Sequence, residues 1–362
     1  MKTKRILASL MAVMMVVALS ACGGQSTSTA STAAPAADGA AESSVTGGGT
    51  TELADDAIVF KIAHVDPENG PLHANFLEFE KYVEENTNGQ VDVQVFGNGV
   101  LGGDREVLEA INLGSVHMSN MASSNLTAYG EKFAIFELPF IFPTYESAIA
   151  AYDGELGDLY NEWLAEQDFF SFGMLTFGWR ALSNNVRPVY VPEDMQGIKI
   201  RVMEVPLYVD TFTLLGANPT PMSWNEIYTG LQQGTIDAQD NSPEQTYLAK
   251  FYEVQDYYST LNHVLSNGPF ICKKSFVDSL PDDVYKVIEE GLLIFRDKHR
   301  EESVVNEEEY LTMMEEEGVE ICRLTDEQRA QFRAKVEPIY EQYREIVGDD
   351  AMDLALSYGE AA

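Results

Sequence analysis

The chain has 362 residues, with 23 Lys and Arg against 58 Asp and Glu and a formal net charge of −35. So acidic a surface disfavours nucleic acid and anionic lipid as partners, and it repels small anions until salt screens the repulsion beyond about 8–10 Å. Any anion site must therefore be local, built from a few sheltered cations.

Lys2, Lys4 and Arg5 form a positive head before an apolar stretch at 6–19, which is shorter than the ~20 residues a transmembrane helix needs. Small residues follow, so 1–21 reads as a removable signal peptide. Leu19-Ser20-Ala21-Cys22 resembles the lipobox of bacterial lipoproteins, in which the cysteine receives diacylglycerol before cleavage. The competing reading is an ordinary signal peptide with a chance cysteine. Two acyl chains on Cys22 would give stable anchoring. Removing 1–21 takes away three cations and no acid, moving the charge from −35 to −38. Residues 22–56, the lipidated cysteine and a Ser/Thr/Ala/Gly linker, hold too few large apolar side chains to offset ordering entropy. The linker is expected to be disordered, holding the folded part roughly 30 Å from the membrane. Of the remaining cysteines, Cys272 and Cys322, buried free thiols are favoured over a disulfide.

From Ala57 onward the chain exceeds one comfortable core, so two lobes are expected. β-rich runs at 58–65 and 91–96 flank a helical period over 72–86. A helix over 104–113, a strand over 116–121, a helical 145–166 broken early by Asp153 and Gly154, and an apolar strand over 169–177 follow. This is the βαβαβ pattern of a mostly parallel, doubly wound sheet. The second stretch uses the same alphabet. A strand at 198–203 leads to a helix at 206–215 opened by Pro206. Then come a helix at 225–233, a short strand at 236–239, and strands at 257–265 and 270–273. A helical run over 281–317, interrupted at most by Gly291, would reach about 55 Å and lie across both lobes. A strand at 319–323 precedes a closing helix at 325–347, with Thr325 as N-cap and Gln328 completing a capping box. Residues 348–362 read as an uninformative C-terminal tail.

Gly97-Asn98-Gly99-Val100-Leu101-Gly102 matches the dinucleotide pattern G-x-G-x-x-G between a strand and a helix. The next strand, however, ends without the acid that would hold a ribose. The loop is better read as a turn where backbone approaches a ligand. The five histidines make no metal-ligand spacing, and no G-x-S-x-G elbow or Ser/His/Asp set is present. Nothing argues for an enzyme, a cofactor or a metal.

Two arginines sit in apolar settings, Arg180 in Phe177-Gly178-Trp179-Arg180-Ala181-Leu182 and Arg201 in Ile198-Lys199-Ile200-Arg201-Val202-Met203. Strand alternation puts Lys199, Arg201 and Met203 on one face, and pattern alone leaves a solvated or a buried Arg201 equally open. Two buried guanidiniums would make an acid-selective pocket, because each presents a planar fork to a carboxylate.

Val191-Pro192-Glu193-Asp194-Met195-Gln196-Gly197-Ile198-Lys199-Ile200-Arg201-Val202 resembles the DctP family of solute-binding proteins, which serve tripartite ATP-independent periplasmic (TRAP) transporters. Leu215–Met222 (Leu-Gly-Ala-Asn-Pro-Thr-Pro-Met), Asp237-Ala238-Gln239-Asp240-Asn241-Ser242-Pro243, Lys250-Phe251-Tyr252-Glu253-Val254-Gln255 and Leu101-Gly102-Gly103-Asp104-Arg105-Glu106 are similar to further family blocks, in family order. The resemblance implies an α/β, two-lobed periplasmic-binding-protein-like fold with hinge strands and a long helix spanning both lobes, closing over one organic acid. Its lobes would be 57–178 plus about 267–306 and 179–266 plus about 307–347. By motif position Arg201 would clamp the carboxylate, Arg180 would add a second cationic contact, and Asn241 would hydrogen-bond from the opposite lobe. Asp104, Asn125, Glu204 and Trp224 would complete the ligand-binding set. Sialic-acid-binding members usually carry Asn at Glu204, Glu at Ala122 and Phe at Trp224, so another acid is expected. Glu204 would repel a second carboxylate and accept from hydroxyls, and Trp224 would stack on a sugar ring. A hexuronate or aldonate is therefore favoured over a C4-dicarboxylate. The expected protein is a monomeric lipoprotein facing the periplasm or cell exterior, delivering its acid to membrane permease subunits. A sensor subunit using the same fold is the alternative.

Overall fold

The structure, a computed structural model, describes residues 51–360; the signal peptide, Cys22 and most of the expected linker lie outside the described residues. Among the described residues, nine strands form one sheet: β1 (Ile58–Ala63), β2 (Val91–Phe96), β3 (Met118–Ser119), β4 (Phe169–Asn184), β5 (Lys199–Val202), β6 (Asn218–Pro221), β7 (Ala238–Asn241), β8 (Tyr257–Lys273) and β9 (Glu320–Cys322). Their spatial order is β2-β1-β3-β8-β4-β7-β5-β6, with β9 beside β8. β2-β1-β3 are mutually parallel, as are β7-β5-β6. The long strands β4 and β8 run antiparallel to each other between these two groups.

The sheet is thus mixed. Strands 257–265 and 270–273 are one continuous 17-residue β8, and β4 continues past 177 to Asn184. The long strands link the two groups: β8 pairs with β3 near Cys272, and β4 pairs with β7 near Leu182. They are the hinge strands of a two-lobed fold. Their ladder shifts register between Thr176 and Trp179, where Gly178 has φ +86°, a left-handed conformation that glycine adopts without steric cost.

Hydrophobic periodicity located the helices because each buries one face. Phe76, Phe79 and Val83 of the helix Pro71–Asn86 pack with Ile288, Leu292 and Phe295 of Asp282–Val305 over Phe60 and Ile62 of β1. The long helical run does break, at Asn306, into Asp282–Val305 and Glu307–Glu316. Gly291 is not the break; it lets the helix lie close to Tyr82 and Phe79. The closing helix also divides, at Glu337, because Pro338 cannot donate a backbone N–H to continue the first segment. Its Thr325–Gln328 capping box forms as expected. Residues 349–360 are a helix rather than a featureless tail, and Ala351, Met352 and Ala355 are buried. Cys272 and Cys322 are buried and free. Cys322 lies opposite Ser259 on β8, thirteen positions along that strand from Cys272, so the two thiols are far beyond disulfide reach.

One glycine bears directly on the cleft described below. A Cβ on Gly268 would sit 2.4 Å from the Met121 carbonyl and 2.6 Å from that of Asn120. Gly268→Ala is expected to cost about 1–3 kcal/mol of stability, as overpacking against backbone does. A urea midpoint equal to wild type would refute this close approach.

Candidate functional site

Parallel α/β sheets leave their strand carboxyl ends open where the strand order reverses, and ligands collect there. Here a cavity lies at those ends. His64, Val65 and Asp66 follow β1, and Asn120, Met121 and Ala122 follow β3. Arg201 and Met203 come from β5 and its end, Asn241 from β7, and Phe177 and Arg180 from the middle of β4. Trp224, Gln245 and Asp104 close the remaining sides.

The two arginines differ in what they hold. Arg180 is 3% exposed and tied down: its Nε donates to Asp240 Oδ2 at 2.8 Å, another N–H donates to the Asp240 carbonyl, and the guanidinium lies over the Tyr208 ring. Asp240 also meets His263 Nε2 at 3.2 Å. Burial works against the Arg180 charge, but Asp240 and Tyr208 outweigh it and hold the group firmly protonated. Arg201 is 4% exposed. Its Nε donates to the Met222 carbonyl at 2.8 Å, and among the described residues no carboxylate pairs with it. Burial, aided by the neighbouring Arg180, pushes its pKa down to about 10. It stays charged at neutral pH, and its side chain lines the cavity. The solvated alternative for Arg201 is therefore overturned: Lys199 lies at the exposed start of β5, whereas Arg201, two residues on along the same face, is covered by the cleft.

Of the other expected site residues, Asp104, Trp224 and Asn241 line the cavity. Asn241 comes from β7, next to β5, so it stands on the same side as Arg201 and not on the opposite lobe. Asn125 and Glu204 line an adjoining cavity with Arg105 and Tyr129. Asn125 still reaches the cleft indirectly, because its Nδ2 donates to Asp104 Oδ2 at 3.0 Å. Glu204 is exposed. The loop 97–102 does not line the cavity; a Cβ on Gly99 would sit 2.7 Å from Asn225 Oδ1. Glycine there admits another protein segment, where the sequence pointed to a ligand.

The arrangement can hold one anion on Arg201 in a cleft closed from both sides. Asp104 lies within reach of Arg201's field, and burial, then Asp66, push its pKa up to about 7. An anion on Arg201 removes the cation that favours ionised Asp104, so binding takes up a proton. Affinity for an acid is then expected to fall as pH rises through about 7, by up to about tenfold per pH unit. Calorimetry in two buffers of different ionisation enthalpy would measure this; an affinity unchanged from pH 6 to 8 would reject it.

The family model for DctP, bacterial extracellular solute-binding protein, family 7, matches residues 62–346. The chain belongs to the DctP family. It is 30% identical to the C4-dicarboxylate-binding periplasmic protein DctP of Rhodobacter capsulatus over 82% of this chain and 90% of that one. The sugar acid binding protein of Advenella mimigardefordensis in complex with galactonate superimposes with a TM-score of 0.81 at 26% identity, covering 86% of this chain and 99% of that one. A TRAP periplasmic solute binding protein from Sulfurospirillum deleyianum with bound succinate gives 0.78 at 31% identity, covering 82% and 98%.

Within this DctP-family cleft, sequence reasoning missed Asp66, Asn120 and Gln245. Gln245 Nε2 donates to Asp66 Oδ1 at 3.1 Å, and burial pushes the Asp66 pKa up. Their positions a few residues past the ends of β1, β3 and β7 were the available signal, since carboxyl ends of parallel strands converge on the ligand. Among the described residues no group of His, Cys, Asp and Glu is placed to hold a metal, and no helix is long and apolar enough to cross a membrane.

Proposed function

We propose that this chain is the solute-binding component of a TRAP transporter for a small organic acid, tethered outside the membrane through lipid on Cys22. The observation that carries the reading is Arg201: a buried guanidinium lining the cleft with no carboxylate partner among the described residues. Of the three buried arginines among the described residues, Arg180 is paired with Asp240 and Arg300 with Asp153. A buried cation without its counter-charge is costly, and an entering carboxylate supplies that charge.

One free guanidinium suits one carboxylate. The half-buried Trp224, against Phe251, offers a flat face for a sugar ring. The favoured ligand is accordingly a hexuronate or aldonate, ahead of a C4-dicarboxylate. The lobes are assigned as 57–178 plus about 267–306 and 179–266 plus about 307–347. Supporting this division, the boundaries near 178 and 267 fall on β4 and β8, and that near 306 falls on the helix break at Asn306. Ligand enters the open cleft, pairs with Arg201, and stabilises the closed form because it binds that form more tightly.

A calorimetric panel of hexuronates, aldonates, succinate and malate tests the ligand class, alongside native mass spectrometry of freshly purified protein for retained acid. Succinate or malate outcompeting every sugar acid would overturn the preference. For the tether, Cys22→Ala is expected to move the protein from the membrane fraction to the soluble extracytoplasmic fraction. Membrane association undiminished in the variant would count against lipid on Cys22.

A further inference from the structure

The organic-acid reading leaves the far side of the cleft unexplained. Arg201 brings a cation to one part of the wall; beyond it stand two carboxyl groups and the side-chain amides of Asn120 and Gln245. Asp66 and Asp104 both line the cavity, and the salt bridges of the described residues leave both without a cation. Asn120 is 2% exposed, and its Oδ1 has no hydrogen-bond partner. Gln245 Oε1 is also buried and unpaired, while its Nε2 is committed to Asp66 Oδ1. That bond fixes which end of the amide is the oxygen.

We infer that Asp66, Asn120 and Gln245 form a specificity pole that reads hydroxyl groups on the ligand's carbon chain and rejects a second carboxylate. This rests on the organic-acid reading of Arg201 and deepens it. The argument is one of complementarity. A buried acceptor left unpaired is costly, and a ligand hydroxyl donating to it recovers that cost. A second carboxylate has no proton to donate to the Asn120 and Gln245 oxygens, and its charge would be desolvated in a sheltered cleft beside Asp66 with no second free cation to meet it. An unsubstituted alkyl chain would leave the same acceptors dry and unsatisfied. The Asp66–Gln245 bond joins the segment after β1 to the helix Pro243–Leu248 after β7. Hydroxyl recognition is therefore assembled when the two sides of the cleft come together, which ties specificity to closure.

Two series matched in carbon count isolate the effect at pH 8: threonate, butyrate, succinate and 4-aminobutyrate, then gluconate, hexanoate, adipate and 6-aminohexanoate. In calorimetry on the wild-type chain, the hydroxy acid of at least one series is expected to bind at least tenfold tighter than its three partners. Asp66→Asn is expected to weaken that hydroxy acid by about 10–100-fold, as loss of a charged acceptor does, while leaving the plain acid within about threefold. Arg201→Ala should weaken every carboxylate that binds. If Arg201→Ala does so but the dicarboxylate or the amino acid is the tightest ligand, the hydroxyl pole is wrong and the Arg201 reading stands. If Arg201→Ala leaves hydroxy-acid affinity unchanged, both fall. The wild-type series needs no variant to fold, so it decides the matter even if Asp66→Asn does not.

Discussion

Arg201→Ala is expected to lower affinity for the captured acid by about two to four decades, corresponding to about 3–5 kcal/mol, while leaving the protein folded. The magnitude follows from the site's asymmetry. Arg201 is 4% exposed, lines the cleft, and gives one N–H to the Met222 carbonyl. With alanine there, a ligand carboxylate entering the same cleft would be desolvated without a cation and would face Asp66 and Asp104. Arg201→Lys should recover only part of the loss, because an ammonium cannot offer the planar fork. Titration calorimetry with the best wild-type ligand measures both. Near-native affinity in Arg201→Ala would remove the basis of the proposed function.

The second large effect is on stability. Asp240→Ala is expected to destabilise the fold by about 3–5 kcal/mol, because it leaves the Arg180 guanidinium buried without a counter-charge. Asp240 accepts from Arg180 Nε at 2.8 Å and contacts His263 Nε2 at 3.2 Å, and all three side chains are buried. Burial opposes the Asp240 charge, yet Arg180 and His263 win and hold its pKa below the usual value. A depressed folded pKa contributes stability above the unfolded value of about 4 and loses it as pH falls through the folded one. Wild type should therefore lose this contribution below pH ~4, and the variant should lack it at neutral pH. A urea midpoint at pH 7 within error of wild type would show that the pair contributes no net stability.

Most of the regular structure was legible because it is written in local patterns. The strand over 91–96 and the helix over 104–113 have the bounds read from the sequence, since one follows alternation and the other a 3.6-residue period ended by a left-handed Gly114. The short helical turns Ser123–Tyr129 and Glu131–Glu137 were not legible. Many of their side chains are buried by the rest of the fold, and no local period marks them. The single long β8 was read as two strands for a related reason. Asn267, Gly268 and Pro269 look like a break, but they pair with Thr176, Leu175 and Met174 of β4, a partner ninety residues away.

The sequence by itself determined the α/β class, the family and the identity of the two arginines, because composition, periodicity and ordered motifs need no knowledge of neighbours. The tertiary structure alone decided which arginine is free. Arg180 and Arg201 are alike in chemistry and in apolar setting; they differ because β4 pairs with β7 and so brings Asp240 to one of them. It also decided that Asp66, Asn120 and Gln245 share a wall. Burial and charge pairing are properties of distance in space, and the order of strands in the sheet brings Asp66 and Gln245, some 180 residues apart, into contact.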